Sequence, residues 1–209
     1  MFFAFEGVDG AGKTTQIAQF CDWLRSLGHD VVECRDPGST ALGEQVRRLL
    51  LDHSETAIGA RSEMFLYMTA RAQMVDEVIT PALTTGKVVV SDRFLLSNVV
   101  YQGYAGGIDP AAIWQVGLTA TRGVLPDLSL VLDVSDEIAA QRMSRPLDRI
   151  EQRGAEFRAA LRRGYLAEAA RQPERIVVID AGRSIDAVQS DLRQAAQRVL
   201  DACSTGGRA

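Results

Sequence analysis

Gly7, Gly12, Lys13 and Thr14 fall in the order G-x-x-x-x-G-K-T, with Val8, Asp9, Gly10 and Ala11 filling the gap and Thr15 following. Those residue types suit one task. Backbone N–H groups can close around phosphate oxygens only where side chains do not obstruct them, which is the use of the glycines. Lys13 adds a movable cation and Thr14 a hydroxyl for Mg2+. The spacing predicts a nucleoside triphosphate as ligand, provided that a buried strand precedes the loop and a helix follows it. Phe2-Phe3-Ala4-Phe5 supplies the strand pattern, and Ile17, Phe20, Cys21, Leu24 and Leu27 recur at helical spacing up to Gly28.

A second set follows the apolar run Val88-Val89-Val90-Ser91. Asp92 can hold Mg2+ directly or through water, and Arg93 can clamp a second phosphate with two parallel hydrogen bonds. An ion pair at the start of the next helix is the alternative use of the same two residues. Arg142, Arg145, Arg149 and Arg153 form a third set. Carried on a lid over about 142–155, such arginines neutralise a transferring phosphoryl group and exclude water. The interleaved Asp148, Glu151 and Glu156 are equally consistent with a solvated helical face.

These groups need a scaffold that brings them to one edge. Phe2–Phe5, Val31–Cys34, Val88–Ser91, Ser129–Val134 and Ile176–Ile179 are short, continuously apolar runs separated by longer helical patterns. Continuous hydrophobicity predicts strands covered on both faces, hence an α/β fold with a five-stranded parallel sheet flanked by helices. Ligands of such sheets bind beyond the carboxyl ends of the strands, and polar motifs follow the strands here: Arg35-Asp36-Pro37-Gly38, Asp92-Arg93 and Asp133.

The 209 residues, 46% of them hydrophobic, fit a single domain over 1–203 with a disordered tail at 204–209. A net charge of −4 gives no global reason for nucleic-acid or membrane binding. Cys21, Cys34 and Cys203 are widely spaced and read as reduced apolar residues, and neither His29 nor His53 has a neighbour that would make a ligand set. With the loop starting at residue 7 and no cationic leader before it, a cytoplasmic location is expected.

Taken in order, the motifs resemble the thymidylate kinase family over nearly the whole chain. They are Phe5-Glu6-Gly7 through Thr15-Gln16, Arg35-Asp36-Pro37-Gly38, Ala70-Arg71, Asp92-Arg93-Phe94, Ser97 through Gly103, Pro126-Asp127-Leu128 and Leu147 through Glu151. The resemblance implies a three-layer P-loop fold with a short lid, ATP and dTMP as substrates, Mg2+, and a homodimer. It assigns residues 7–15 to ATP, with Lys13, Thr14 and Thr15 at its phosphates and Mg2+, Asp9 to the acceptor sugar, Arg35 and Arg93 to the acceptor phosphate, and Asp36 to the neighbourhood of the metal. Tyr67 and Arg71 map to the thymine, and being four apart they share a helix face. Ser97, Asn98 and Gln102 map to the base edge, and Tyr101 to the position that crowds the sugar 2′ carbon. Ser39 stands where the family has a second glycine, and Asp36 where glutamate is commoner. Gly10 stands where one subgroup has arginine, which implies that a lid arginine, Arg145, Arg149 or Arg153, completes catalysis with Lys13 and Arg93. A kinase for another nucleotide or nucleoside, or a nucleotide-binding regulator without transfer, are the other functions compatible with the loop.

Overall fold

Phe2–Glu6 form β1, and all of its residues are buried. Alternate side chains enter different cores: Phe3 and Phe5 join Phe20, Cys21 and Leu24 on one face, while Phe2 and Ala4 join Met68, Met74 and Phe94 on the other. Such a strand is stable only between two layers of helix. The computed structural model, which describes residues 1–52, 57–143 and 153–206 with side chains through 202, places β1 at the centre of a parallel sheet in the order β2-β3-β1-β4-β5. The other strands are β2 (Val31–Arg35), β3 (Val88–Asp92), β4 (Leu128–Asp133) and β5 (Ile176–Asp180). All five expected strands are present. Four run one residue further at their carboxyl ends, into Glu6, Arg35, Asp92 and Asp180, because ladder pairing uses backbone groups and does not stop at a polar side chain.

The helices are α1 (Lys13–Ser26), α2 (Ala41–Leu51), α3 (Ala60–Met74), α4 (Thr80–Thr84), α5 (Leu95–Asn98), α6 (Pro110–Ala120), α7 (Asp136–Arg142), α8 (Ala155–Arg171) and α9 (Ile185–Gly206). π-helical turns at Val75–Ile79 and Val99–Tyr104 extend α3 and α5. Gly28, at φ 89°, ends α1 as expected: its N–H donates to Arg25 O at 2.9 Å and that of His29 to Leu24 O at 3.2 Å. At the other end of the chain α9 continues through Gly206, past the position where a disordered tail was expected to begin.

Register brings the polar strand ends together. Asp92 lies opposite Phe5 on one side and Arg35 on the other, and Asp133 lies opposite Asp180. Cys21 and Cys34 are free and buried, and burial pushes both thiols up to about 12, so neither is reactive. Among the described residues, no helix is long and apolar enough to cross a membrane.

Candidate active site

The loop between β1 and α1 departs from ordinary backbone where the motif has glycine. Gly7 has φ 128°, and a Cβ there would lie 2.5 Å from Leu132 O; Gly10 has φ 81°, and a Cβ there would lie 2.3 Å from Ala139 O on α7. Only glycine is free of strain at both positions. An arginine at position 10 would have to displace α7, so the loop itself has no room for the extra cation. Lys13 begins α1 and folds back over the loop, its Nζ donating to Gly7 O at 3.1 Å and Val8 O at 3.0 Å, with Asp9 Oδ1 at 3.8 Å. Burial lowers the pKa of this ammonium, and Arg93 nearby lowers it further. A polyanion in the loop would reverse both effects.

Arg93 follows β3 at φ 68° and turns back across β1. Its guanidinium donates to Asp9 Oδ1 at 2.9 Å and to Gly7 O at 2.7 Å, and lies over the Tyr101 ring at 5.2 Å. Burial opposes its charge, but the oxygens of Tyr101, Asp9, Tyr165 and Asp92 outweigh that and hold the cation. The turn carrying Arg93 is fixed from below by Glu6, the last residue of β1. This wholly buried carboxyl accepts from Phe94 N at 2.9 Å, from Tyr165 OH at 3.4 Å and from Ser97 Oγ. Burial pushes Glu6 up to about 7, only partly offset by Ser97, Arg93 and the Phe94 N–H.

A raised carboxyl pKa fixes the sign of a pH effect. Folded protein keeps the Glu6 proton at pH values where unfolded chain has lost it, so stability from this group is complete below about 4.5 and is lost as pH rises towards about 7. Glu6→Gln removes the titration. The variant is expected to gain stability relative to the parent, on the order of 3 kcal/mol between pH 4 and pH 8, in urea unfolding at the two pH values. A difference independent of pH would contradict this.

Among the described residues, Asp92 Oδ1 and Asp36 Oδ1 are buried without hydrogen-bond partners, as is Gln16 Oε1. Both aspartates line the same cleft as Thr14. Carboxylate oxygens in that condition suit a divalent cation or its bound water, and a Mg2+ site completed by substrate phosphates needs few protein ligands. No cluster of three or more His, Cys, Asp or Glu occurs among the described residues. The second oxygen of Asp36 pairs with buried Arg71 Nε at 2.6 Å. Burial raises the Asp36 pKa and Arg71 opposes the rise.

The space around these groups has two lobes. A cleft of about 860 Å3 is lined by residues 9–16, Arg35, Asp92, Arg142 and the turn after β5, with Ala181, Arg183, Ser184 and Ile185 on its wall. A cavity of about 90 Å3 is lined by Leu51, Tyr67, Arg71, Ser97, Asn98, Tyr101 and Gln102. Asp9, Asp36, Arg47 and Arg93 line both. The two lobes therefore meet at Arg93 and the loop acid.

Each expected site residue within the described segments has a definite place. Tyr67 and Arg71 share α3 and face the smaller cavity together. Asn98 and Gln102 join them, whereas the Ser97 hydroxyl is engaged by Glu6 and Tyr165, the latter at 2.9 Å. Arg35 sits at the cleft rim, exposed, with NH2 at 2.9 Å from both Glu44 oxygens. Ser39 adopts φ 65° in place of glycine, and its hydroxyl accepts from Arg35 N at 2.8 Å. Of the third basic set, Arg142 borders the cleft and donates to Ala181 O at 2.9 Å, and Arg153 pairs with Glu63 on α3. Arg145 and Arg149 lie outside the described residues. Asp133 is held by Arg162 through two bonds of 2.7 and 2.8 Å.

Several residues of the site are given no role by the sequence: Glu6 and Tyr165 beneath Arg93, Arg47 between the lobes, and the turn after β5. Glu6 adjoins the phosphate loop, but a single acid at the end of an apolar strand has no spacing pattern to reveal its partners.

A family model described as thymidylate kinase matches residues 5–192. The chain is 48% identical over 208 residues to the thymidylate kinase of Pelotomaculum thermopropionicum, covering 98% of this chain and 96% of the relative. It is 42% identical over 201 residues to that of Symbiobacterium thermophilum, covering 96% and 94%. The crystal structure of thymidylate kinase from Ehrlichia chaffeensis superposes with a TM-score of 0.76 at 31% identity, over 94% of this chain and 98% of that one. The match extends from before the phosphate loop into α9 and includes every residue placed around the two lobes, so the chain belongs to the thymidylate kinase family.

Proposed function

We propose that the protein phosphorylates dTMP with ATP, giving dTDP and ADP, with ATP in the larger cleft and dTMP in the smaller cavity. The observation that carries this assignment is the sharing of Asp9, Asp36, Arg47 and Arg93 by the two lobes, one opening onto a phosphate loop and the other onto an aromatic ring and a guanidinium. The family relation supplies the nucleotide identities.

The acceptor is already an anion, so alignment and charge compensation suffice without a strong base. Lys13 and the loop amides hold the donor phosphates, Arg93 holds the acceptor phosphate, and Asp9 faces the acceptor sugar. Mg2+, when bound, supplies charge neutralisation across the phosphates, and Thr14 and Asp92 are the residues to hold it, with Asp36 beside them. Tyr67 and Arg71 take the base. The Tyr101 ring, packed between the Arg93 guanidinium and the steeply inclined Phe157 ring, whose centroid lies 6.2 Å from its own, leaves little room for a 2′-hydroxyl. Arg142, Arg145, Arg149 and Arg153 remain the candidates for the cation at the transferring group. A homodimer is supported by the family resemblance and by exposed Phe65 and Leu118 on α3 and α6, and a cytoplasmic location by the family and by buried free thiols.

The test is ADP formation by purified protein with ATP and each of dTMP, dUMP, UMP, CMP and AMP. The expected order has dTMP first, with UMP lower by about 10²-fold or more in kcat/KM. Preference for a ribonucleotide, or ATP hydrolysis that needs no acceptor, would overturn the proposal.

A further inference from the structure

A chain of hydrogen-bonded side chains, buried up to its last member, runs past the smaller cavity to Arg153, just before α8. Arg71 donates from Nε to Asp36 Oδ2 at 2.6 Å and from NH1 to Asn98 Oδ1 at 2.9 Å; Asn98 Nδ2 donates to Gln102 Oε1 at 2.6 Å; Gln102 Nε2 donates to Glu63 Oε2 at 3.2 Å; and Glu63 Oε1 accepts from Arg153. Arg71, Asn98 and Gln102 line the cavity, whereas Glu63, wholly buried on α3, lies behind them.

The two ends fix the direction of every bond between them. A carboxylate paired with a guanidinium only accepts, and a guanidinium only donates. Turning Gln102 over would set its carbonyl against the Glu63 carboxylate and its amino group against that of Asn98. Turning Asn98 over would set its amino group against Arg71. The orientation that satisfies all of them gives the cavity wall a guanidinium donor beside the Asn98 carbonyl, an oxygen with a second lone pair. Donor beside acceptor matches the 4-keto oxygen and adjacent ring N–H of thymine. It opposes the 4-amino group and bare ring nitrogen of a cytosine, which would leave buried groups mismatched.

We propose that Glu63 is a positioning residue that sets the preference for 4-keto over 4-amino pyrimidines, by locking the amides of Gln102 and Asn98 from outside the cavity. This rests on dTMP placing its base beside Arg71. A glutamine at position 63 can donate as well as accept, so Gln102 is no longer held in one orientation.

The test compares kcat/KM for dTMP and 5-methyl-dCMP, which differ only at the 4-position edge. In Glu63→Gln the ratio is expected to fall by about tenfold or more, with the KM for dTMP rising more than kcat falls. Glu63→Asp, still a carboxylate, is expected to retain more of the ratio than Glu63→Gln. Glu168→Gln, a change at an equally buried carboxylate whose bonds go to Tyr104 and Trp114 and not to this chain of amides, is expected to leave the ratio within about twofold. If Glu63→Gln does not fold, Gln102→Leu breaks the same chain and is expected to lower the ratio alike. An unchanged ratio in folded Glu63→Gln or Gln102→Leu, or an equal fall in Glu168→Gln, would overturn the proposal. Unchanged KM for dTMP in Arg71→Ala would overturn the base placement beneath it.

Discussion

Lys13→Ala is expected to lower kcat by on the order of 10³-fold or more, about 4 kcal/mol of transition-state stabilisation, while leaving the fold intact. Lys13 is the buried cation that arches over the loop, bonded to the carbonyls of Gly7 and Val8 at 3.1 and 3.0 Å. A phosphate in the loop would take over those ammonium protons, and charge gathering on the transferring oxygens would bind them more tightly still. Alanine keeps the helix start, since α1 is anchored by Ile17, Phe20, Cys21 and Leu24 in the core and not by position 13. Removing the side chain also removes the burial penalty on its charge. Circular dichroism and thermal melting should therefore resemble the parent while turnover collapses. Near-normal turnover in the folded variant would remove the loop from the chemistry.

Arg93→Ala is expected to act on both kinetic constants. Arg93, like Arg47, lines both lobes, and in the free protein its partners include Asp9 Oδ1 and Gly7 O. An arriving acceptor phosphate competes for those guanidinium protons as a stronger, doubly coordinating partner. The variant should raise the KM for dTMP by about tenfold or more and lower kcat by on the order of 10³-fold, with a much smaller change in the KM for ATP. Arg93→Lys should recover little, because a single ammonium cannot hold the loop carbonyl, Asp9 and a phosphate in one plane. A KM for dTMP within twofold of the parent would exclude Arg93 from the acceptor site.

Both residues are legible from the sequence because each belongs to a local pattern. Lys13 follows a glycine-rich turn between an apolar strand and a helix, and Arg93 follows the third strand at the edge where ligands of parallel sheets gather. The strands are legible for the same reason: Phe2–Phe5 is apolar without alternation, and its side chains fill cores on both faces. What the sequence hides is convergence. Glu6 reaches Ser97 and Tyr165, residues far along the chain, and only the folding of β1 against β3 and α8 makes it the support beneath Arg93. Glu63 sits among apolar residues of α3 and looks like one more helix acid until Gln102 and Arg153 are brought against it. Arg47 is one of two adjacent arginines on α2, indistinguishable in sequence from a solvated pair, yet it borders both lobes and donates to Pro37 O at 2.9 Å.

Gly10 illustrates how local and tertiary constraints combine. Its type says only that the loop lacks an arginine. Its place in the fold says why: the first side-chain carbon of any other residue would lie 2.3 Å from Ala139 O, so α7 occupies the space an arginine would need. The same helix ends in Arg142, which borders the cleft. The glycine in the loop and the arginine at the end of the helix are thus two sides of one packing arrangement.

The central claim is that two nucleotides meet head to head at Arg93, one in each lobe. A crystal structure with Mg2+, an unreactive ATP analogue and dTMP tests it most directly. The expected result has the triphosphate along residues 10–15, the dTMP phosphate within hydrogen-bond reach of Arg93, and the thymine beside Arg71 and Tyr67. Binding of dTMP with its phosphate remote from Arg93, or with its base outside the smaller cavity, would contradict it.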